Sequence, residues 1–474
     1  MAPVVSFLTS ALAGASVVTA LNSIAVKEQE LVDSSTGERF VIVGVDYQPG
    51  GSQAYHDHNT QDPLSNGTVC LRDAALMQQL GVNTIRSYNV DPTLNHDECA
   101  SIFNDVGIYM IIDVNSPLGG QSINQADPSS SYDSDYLSHI FSVVESFKSY
   151  PNTLGFFSGN EVINSVATAQ GNPKYIRAVQ RDLKNYIKNH SKRTIPVGYS
   201  AADVRLNGNN ILQDTWNYLQ CDNGDNGLSR SDFFGLNSYS WCGSESSFQI
   251  AGYDVLVDMF DQSSIPVFFS EYGCNKPAPR VFDEVPTIYG PQMTVLSGGL
   301  VYEWTEETDM YGLIQNNDNG TCTLLPDYMA LQGQLAKINT TLLMTANNTA
   351  TNLQAPKCAQ SLITSSKFDA NFTLPDPPPG AEALISSGVS NAPTGSIVSV
   401  TQTVVQVAVY ATNGAELKGL KITPVQAANT PGNTGGVSSA AAASTSKGMA
   451  PRMMDKAFTG GAVAAVVFGA AFAL

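Results

Sequence analysis

Eight short apolar runs recur between positions 40 and 304, and their spacing limits the fold more than any other feature of the chain. They cover residues 40–45, 83–88, 109–114, 153–158, 194–199, 232–237, 265–270 and 298–304. Most are apolar at nearly every position, as expected of strands buried on both faces of a parallel sheet. Helix-compatible segments lie between several of them. The segment 71–80 stops at Gly81, Pro173 opens 174–190, and 136–149 and 246–262 fill other gaps. Eight strands alternating with helices over about 280–300 residues predict an α/β chain folded as a (β/α)8 TIM barrel. An open doubly wound sheet is the competing arrangement. The chain lacks the glycine-rich and phosphate-loop motifs that such a sheet uses for nucleotides.

In a barrel, chemistry collects at the C-terminal ends of the strands. Polar residues fall at those places. Asp46, Tyr47 and Gln48 follow the first run, and Arg86 and Tyr88 finish the second. Asp113 lies on the third, and Asn160 and Glu161 follow the fourth. Asn237 and Tyr239 end the sixth, Glu271 and Tyr272 the seventh, and Tyr302 and Glu303 the eighth. Two of these runs end abruptly in a glutamate. A carboxylate at the tip of a buried strand is costly unless it does chemistry, and a facing pair matches the two-carboxylate cleavage of glycosidic bonds. A gap of about 5–5.5 Å between them would make the mechanism retaining.

The two glutamates differ in their neighbours. Asn160 can hydrogen-bond a sugar 2-hydroxyl while positioning Glu161. Tyr239 can donate to Glu271, and Arg86 can keep it ionised. Glu161 is therefore expected to be the acid/base and Glu271 the nucleophile. Tyr47, Tyr88, Tyr239, Tyr302 and Tyr311 are expected near the mouth, where aromatic rings stack on pyranose faces; the plain alternative for each is a core or rim tyrosine. His56 and His58 have no nearby ligand cluster and read as a solvated loop, so neither a metal nor a cofactor is expected.

The remaining features concern compartment and ends. Net charge is −18, which excludes nucleic acid as a partner and suits a neutral substrate. Residues 1–20 are apolar, carry no charged side chain and end Val18-Thr19-Ala20, as a cleaved signal peptide does. Residues 447–474 pass from a polar spacer into an apolar terminus, preceded by small residues. That is the layout of a GPI-attachment signal, with Ser444 or Ser446 as the modified residue and the plasma membrane as the anchoring partner. Seven cysteines fit an oxidising compartment, and the odd number leaves one over. Sequons at Asn66, Asn189, Asn319, Asn339, Asn347 and Asn371 mark surface glycosylation positions. The barrel is expected over 21–345 and an associated extension tied down by Cys358 over 346–380. A Ser/Thr/Ala-rich low-complexity tether follows over 381–446, with enough Val/Thr alternation in 397–411 for a strand pair.

Five motifs carry a resemblance. Val45-Asp46-Tyr47-Gln48-Pro49, Asn83-Thr84-Ile85-Arg86-Ser87-Tyr88, Phe157-Ser158-Gly159-Asn160-Glu161, the stretch from Gly235 to Gly243, and Phe269-Ser270-Glu271-Tyr272-Gly273-Cys274 occur in one order. Over roughly residues 22–345 the chain resembles the fungal cell-wall β-1,3-glucanosyltransferases of glycoside hydrolase family 72. The resemblance implies a GPI-anchored enzyme that cuts inside one β-1,3-glucan and joins the new reducing end to the non-reducing end of another. It implies Glu161 as acid/base, Glu271 as nucleophile, and Gln48, Tyr88, Asp113, Asn160, Tyr239 and Tyr302 along the glucan groove, with Tyr311 matching less closely. It also implies disulfides Cys70–Cys99, Cys242–Cys274 and Cys221–Cys358, leaving Cys322 free. The cysteine-rich carbohydrate-binding module of some members is lacking, which implies the shorter subclass. The residues alone leave open whether sugar or water attacks the intermediate. A plain β-1,3-glucanase and a non-catalytic wall adhesin are the competing functions, and the intact glutamate pair argues against the adhesin.

Overall fold

The computed structural model describes residues 20–51, 62–206, 209–345 and 353–431. The signal-peptide residues before Ala20, His56 and His58, the sequon at Asn347, Ser444, Ser446 and the segment 447–474 lie outside the described residues.

Eight parallel strands close into one barrel. They are β1 (Ile42–Asp46), β2 (Thr84–Ser87), β3 (Tyr109–Asp113), β4 (Thr153–Asn160), β5 (Val197–Ala202), β6 (Phe234–Ser238), β7 (Val267–Tyr272) and β8 (Gly298–Val301). Each overlaps one of the eight apolar runs. Closure comes from β8 pairing back onto β1, Gly298 beside Ile42 through Val301 beside Val45. Every strand residue is buried except Asn160 and Ala202, which explains the unbroken apolar runs: one face fills the barrel and the other meets the helices. Phe157, Phe233 and Phe268 pack against one another inside, with ring centroids 5.2–6.1 Å apart.

Around the strands run α1 (Gly67–Leu80), α2 (Asp97–Asp105), α3 (Ser134–Phe147), α4 (Pro173–His190), α5 (Ile211–Gln220), α6 (Tyr253–Phe260), a single turn α7 (Val285–Ile288) and α8 (Pro326–Leu335). Local chemistry sets their ends. Asn66 caps α1 by accepting from the Thr68 and Val69 amides, and Gly81 ends it with a left-handed φ of 80°. α6 starts later than its periodicity suggests because Gly252, at φ 67°, breaks the segment just before Tyr253. No described helix is long and apolar enough to cross a membrane.

Three features were not apparent from periodicity. A three-stranded antiparallel sheet, Ile24–Lys27, Glu30–Asp33 and Arg39–Phe40, precedes β1; its Ile24, Leu31 and Phe40 join the barrel-filling cluster. The helices α2 and α5, nine and ten residues long, are too short for their apolar positions to repeat over more than about three turns. The third is a correction. The segment read as a free tether from residue 381 is laid against the helices as far as Pro431. The Ser396 amide donates to Asp97, the Val398 amide to the Ser101 hydroxyl, and the Thr423 amide to Gln78. Asn429 donates to the Gln78 and Val82 carbonyls. Val409, Leu420 and Ile422 are buried in the outer core. Instead of an internal strand pair within 397–411, Val409–Tyr410 pairs in parallel with Cys322–Leu324, and Val405 and Ile422 bond across to Leu420 and Thr403. Such a strap borrows its hydrogen bonds from the barrel and so carries no periodic signal of its own.

Disulfides join Cys70 to Cys99, Cys221 to Cys358 and Cys242 to Cys274, with Cα separations of 5.4, 5.0 and 5.1 Å. The first ties α1 to α2. The second ties the end of α5 to the extension. The third joins the loops that follow β6 and β7. Cys322 is free and buried.

Candidate active site

The C-terminal ends of six strands place their polar side chains in one network. Arg86 at the end of β2 is fully buried and lies at its centre. Its Nε and Nη2 donate to the two oxygens of Asp113 at 3.0 and 2.8 Å, a bidentate pair. Nη2 also donates to the Asn160 carbonyl oxygen at 3.0 Å. Nη1 donates to Glu271 Oε1 and to the Ser270 carbonyl, each at 3.2 Å. The guanidinium lies over the rings of Tyr88 and Phe157, 4.2 and 4.6 Å from their centroids.

Glu271 is gripped at both oxygens. Besides Arg86, Oε1 accepts from the Tyr88 hydroxyl at 2.8 Å, and Oε2 accepts from the Tyr239 hydroxyl at 2.7 Å. Burial holds this carboxyl above its ordinary value, and the Arg86 charge and the two phenol donors offset only part of the rise. Glu161 is held differently. Its side chain accepts from Asn237 Nδ2 at 2.9 Å, and the same nitrogen donates to the Asn160 oxygen. Burial, reinforced by the negative charge of Glu271, pushes Glu161 up to about 7. Its backbone is left-handed, with φ 50°. The Glu161 amide bonds to the Ser200 carbonyl, and Gln125 Nε2 bonds to the Glu161 carbonyl at 3.0 Å, so the strand end is pinned on both sides.

Four half-buried tyrosines stand edge to face beside the glutamates. Tyr302 lies 6.4 Å from Tyr88, 6.2 Å from Tyr239 and 5.3 Å from Tyr311, and Tyr311 lies 5.6 Å from Tyr239. Aromatic rings so placed can stack on sugar faces.

The structure brings together Arg86, Tyr88, Asp113, Asn160, Glu161, Tyr239, Glu271, Tyr302 and Tyr311. Two of the expected groove residues also hold their neighbours in place. Asp113 gives both oxygens to Arg86 and is 4% exposed. Gln48 is 3% exposed, and its Oε1 accepts from the Tyr88 and Asn89 amides, holding the backbone that presents Tyr88. Tyr47 is not at the mouth. It is wholly buried and donates to Asp73 on α1, because neighbours along a strand face opposite sides of the sheet. Asn237 is the residue to which sequence reasoning gave no role. Its signal was its place near the C-terminal end of β6, two positions before Tyr239.

The comparisons with known proteins agree with this geometry. A family model described as glucanosyltransferase, of glycoside hydrolase family 72, matches residues 13–339. The chain is 52% identical to the 1,3-beta-glucanosyltransferase gel2 of Aspergillus fumigatus over 90% of its own length and 89% of that protein's. It is 48% identical to the probable 1,3-beta-glucanosyltransferase GAS3 of Saccharomyces cerevisiae, with 83% and 78% covered. A solved structure of Saccharomyces cerevisiae Gas2p in complex with laminaripentaose superposes with a TM-score of 0.67 at 35% identity, covering 77% of this chain and 79% of that one. A two-glutamate (β/α)8 site of this kind defines a glycosidase-type enzyme. The chain belongs to the glucanosyltransferases of glycoside hydrolase family 72.

Proposed function

We propose that the chain is a retaining β-1,3-glucanosyltransferase with Glu271 as nucleophile and Glu161 as acid/base. The observation that carries the assignment is the unequal setting of the two carboxyls. Burial raises both carboxyls, but Glu271 is pinned by one cation and two phenols that favour its charged form, whereas Glu161 has one amide donor and is pushed up to about 7. In the first step Glu271 bonds to the anomeric carbon while Glu161 gives its proton to the departing glycosidic oxygen. The fragment bearing the donor's reducing end leaves. In the second step Glu161, now a carboxylate, takes the proton from the 3-hydroxyl at the non-reducing end of an acceptor glucan. That oxygen displaces Glu271 and forms the new β-1,3 bond.

Asn160 spends its carbonyl oxygen on Arg86 and Asn237, so its NH2 is the end left to donate to a 2-hydroxyl. The tyrosine wall supports transfer over hydrolysis by holding an acceptor sugar at high effective concentration. The laminaripentaose held by Gas2p supports a β-1,3-glucan as the substrate class. Three disulfides, the leader and the apolar C-terminus support a route through the secretory pathway to a GPI anchor at Ser444 or Ser446 on the outer face of the plasma membrane. The shorter subclass and glycosylation at the described sequons belong to the same reading.

Incubation with a defined β-1,3-oligosaccharide is the test. Products longer than the input are expected; products that are only shorter would make the enzyme a glucanase. Glu271→Gln is expected to lower turnover by about 10³-fold or more while oligosaccharide binding persists. Unchanged turnover would remove Glu271 from the nucleophile role.

A further inference from the structure

β1 ends in Asp46, whose carboxyl is wholly buried and has no hydrogen-bond partner on either oxygen among the described residues. Its register neighbour is Arg86, the only cation among the groups that act on it most strongly. A guanidinium has five N–H donors. In Arg86 they go to Asp113 twice, Asn160, Glu271 and the Ser270 carbonyl, so none remains for Asp46. The other ionisable groups whose charge acts on Asp46 are acids or phenols: Tyr88 from the loop after β2, Asp113 from β3, Tyr239 after β6, Glu271 from β7, and Tyr302 and Glu303 after β8. Glu303 is itself a buried acid, pushed up to about 9 by burial and by Asp309 and Glu307. A carboxylate without donors, buried beside two other carboxylates, is far less stable than the neutral acid.

We propose that Asp46 is held as the protonated acid, which keeps a further negative charge out of the site and leaves the Arg86 donors with Asp113, Asn160, Glu271 and the Ser270 carbonyl. An ionised Asp46 would compete for Arg86 and raise Glu271, leaving a smaller fraction of it ionised at a given pH. The idea rests on Glu271 acting as nucleophile, and it assigns to β1 a part in setting that carboxylate's charge.

Asp46→Asn, a neutral isostere, is the test. It is expected to keep kcat/KM within about threefold of wild type and to leave both limbs of the pH–rate profile in place. If Asp46 is ionised in the native enzyme, the variant loses a negative neighbour of Glu271 and the acidic limb falls by about one pH unit, which overturns the proposal. A loss of more than about tenfold in a folded Asp46→Asn protein overturns it as well. Neutron diffraction from the wild-type protein at its pH of maximal activity tests it without a substitution. A deuteron on an Asp46 carboxyl oxygen is expected, and a bare carboxylate refutes it. That result does not depend on which glutamate is the nucleophile, so it separates failure of this idea from failure of the mechanism.

Discussion

Glu161 and Glu271 have the same side chain at the ends of two strands, and only their neighbours separate them. Glu161 must carry a proton to act as acid, so activity is expected to fall as pH rises through about 7, the value to which burial lifts it. Glu271 must be ionised, so activity is also expected to fall on the acid side, which gives a bell-shaped pH–rate profile. The Asn237 donor stabilises the charged form of Glu161 and lowers its pKa. Asn237→Ala is therefore expected to move the alkaline limb to higher pH and to cost about tenfold in kcat, read from the profile on a β-1,3-oligosaccharide. A limb that stays in place or moves down would show that Asn237 does not act on Glu161.

At the scale of elements, two joints deserve tests. Gly81 ends α1 at φ 80°, and a Cβ built there would lie 2.2 Å from the Pro431 Cα. Gly81→Ala is expected to cost about 1–3 kcal/mol by thermal unfolding, through backbone strain and a displaced strap, and to open the segment 425–431 to protease. Cys242–Cys274 clamps the loop after Tyr239 to the loop after Glu271, the donor and acceptor of the 2.7 Å bond. Replacing both cysteines with serine is expected to cost about 2–4 kcal/mol of stability and to lower kcat/KM, because the pair then loses its fixed separation. Unchanged kinetics would confine the clamp to stability. The element pattern itself was legible: all eight barrel strands coincide with apolar runs because both of their faces are buried. The N-terminal sheet was not, since its strands are two to four residues long and alternate too briefly to register.

At the scale of the whole molecule, the described chain leaves the barrel on the side away from the chemistry. Pro431 rests on Gly81, and the Asn429 amide bonds to the Gly107 carbonyl; both glycines precede strands, whereas Glu161 and Glu271 sit where strands finish. Immobilising the protein through its C-terminus is therefore expected to leave activity on soluble β-1,3-glucan within about twofold of the free enzyme. A large loss would place the exit near the mouth. Removing residues 396–431 is expected to bare Val409, Leu420 and Ile422, which are buried in the outer core, and to lower the melting temperature by several degrees.

The strand count, the barrel class, the two glutamates and their order along the chain were all determined by residue type and spacing, because burial on both faces of a parallel strand leaves an unbroken apolar run and a strand-end carboxylate interrupts it. Tertiary structure decided how the polar residues divide the work. Asp113 and Gln48 match a groove pattern, yet they spend their oxygens on Arg86 and on the backbone of Tyr88 and Asn89. Tyr47 turns outward to Asp73, and the neutral state assigned to Asp46 depends on a guanidinium whose donors are already taken. Each of these outcomes depends on which donor lies within about 3 Å of which acceptor, a distance set by closure of the barrel between β8 and β1 and not by position along the chain.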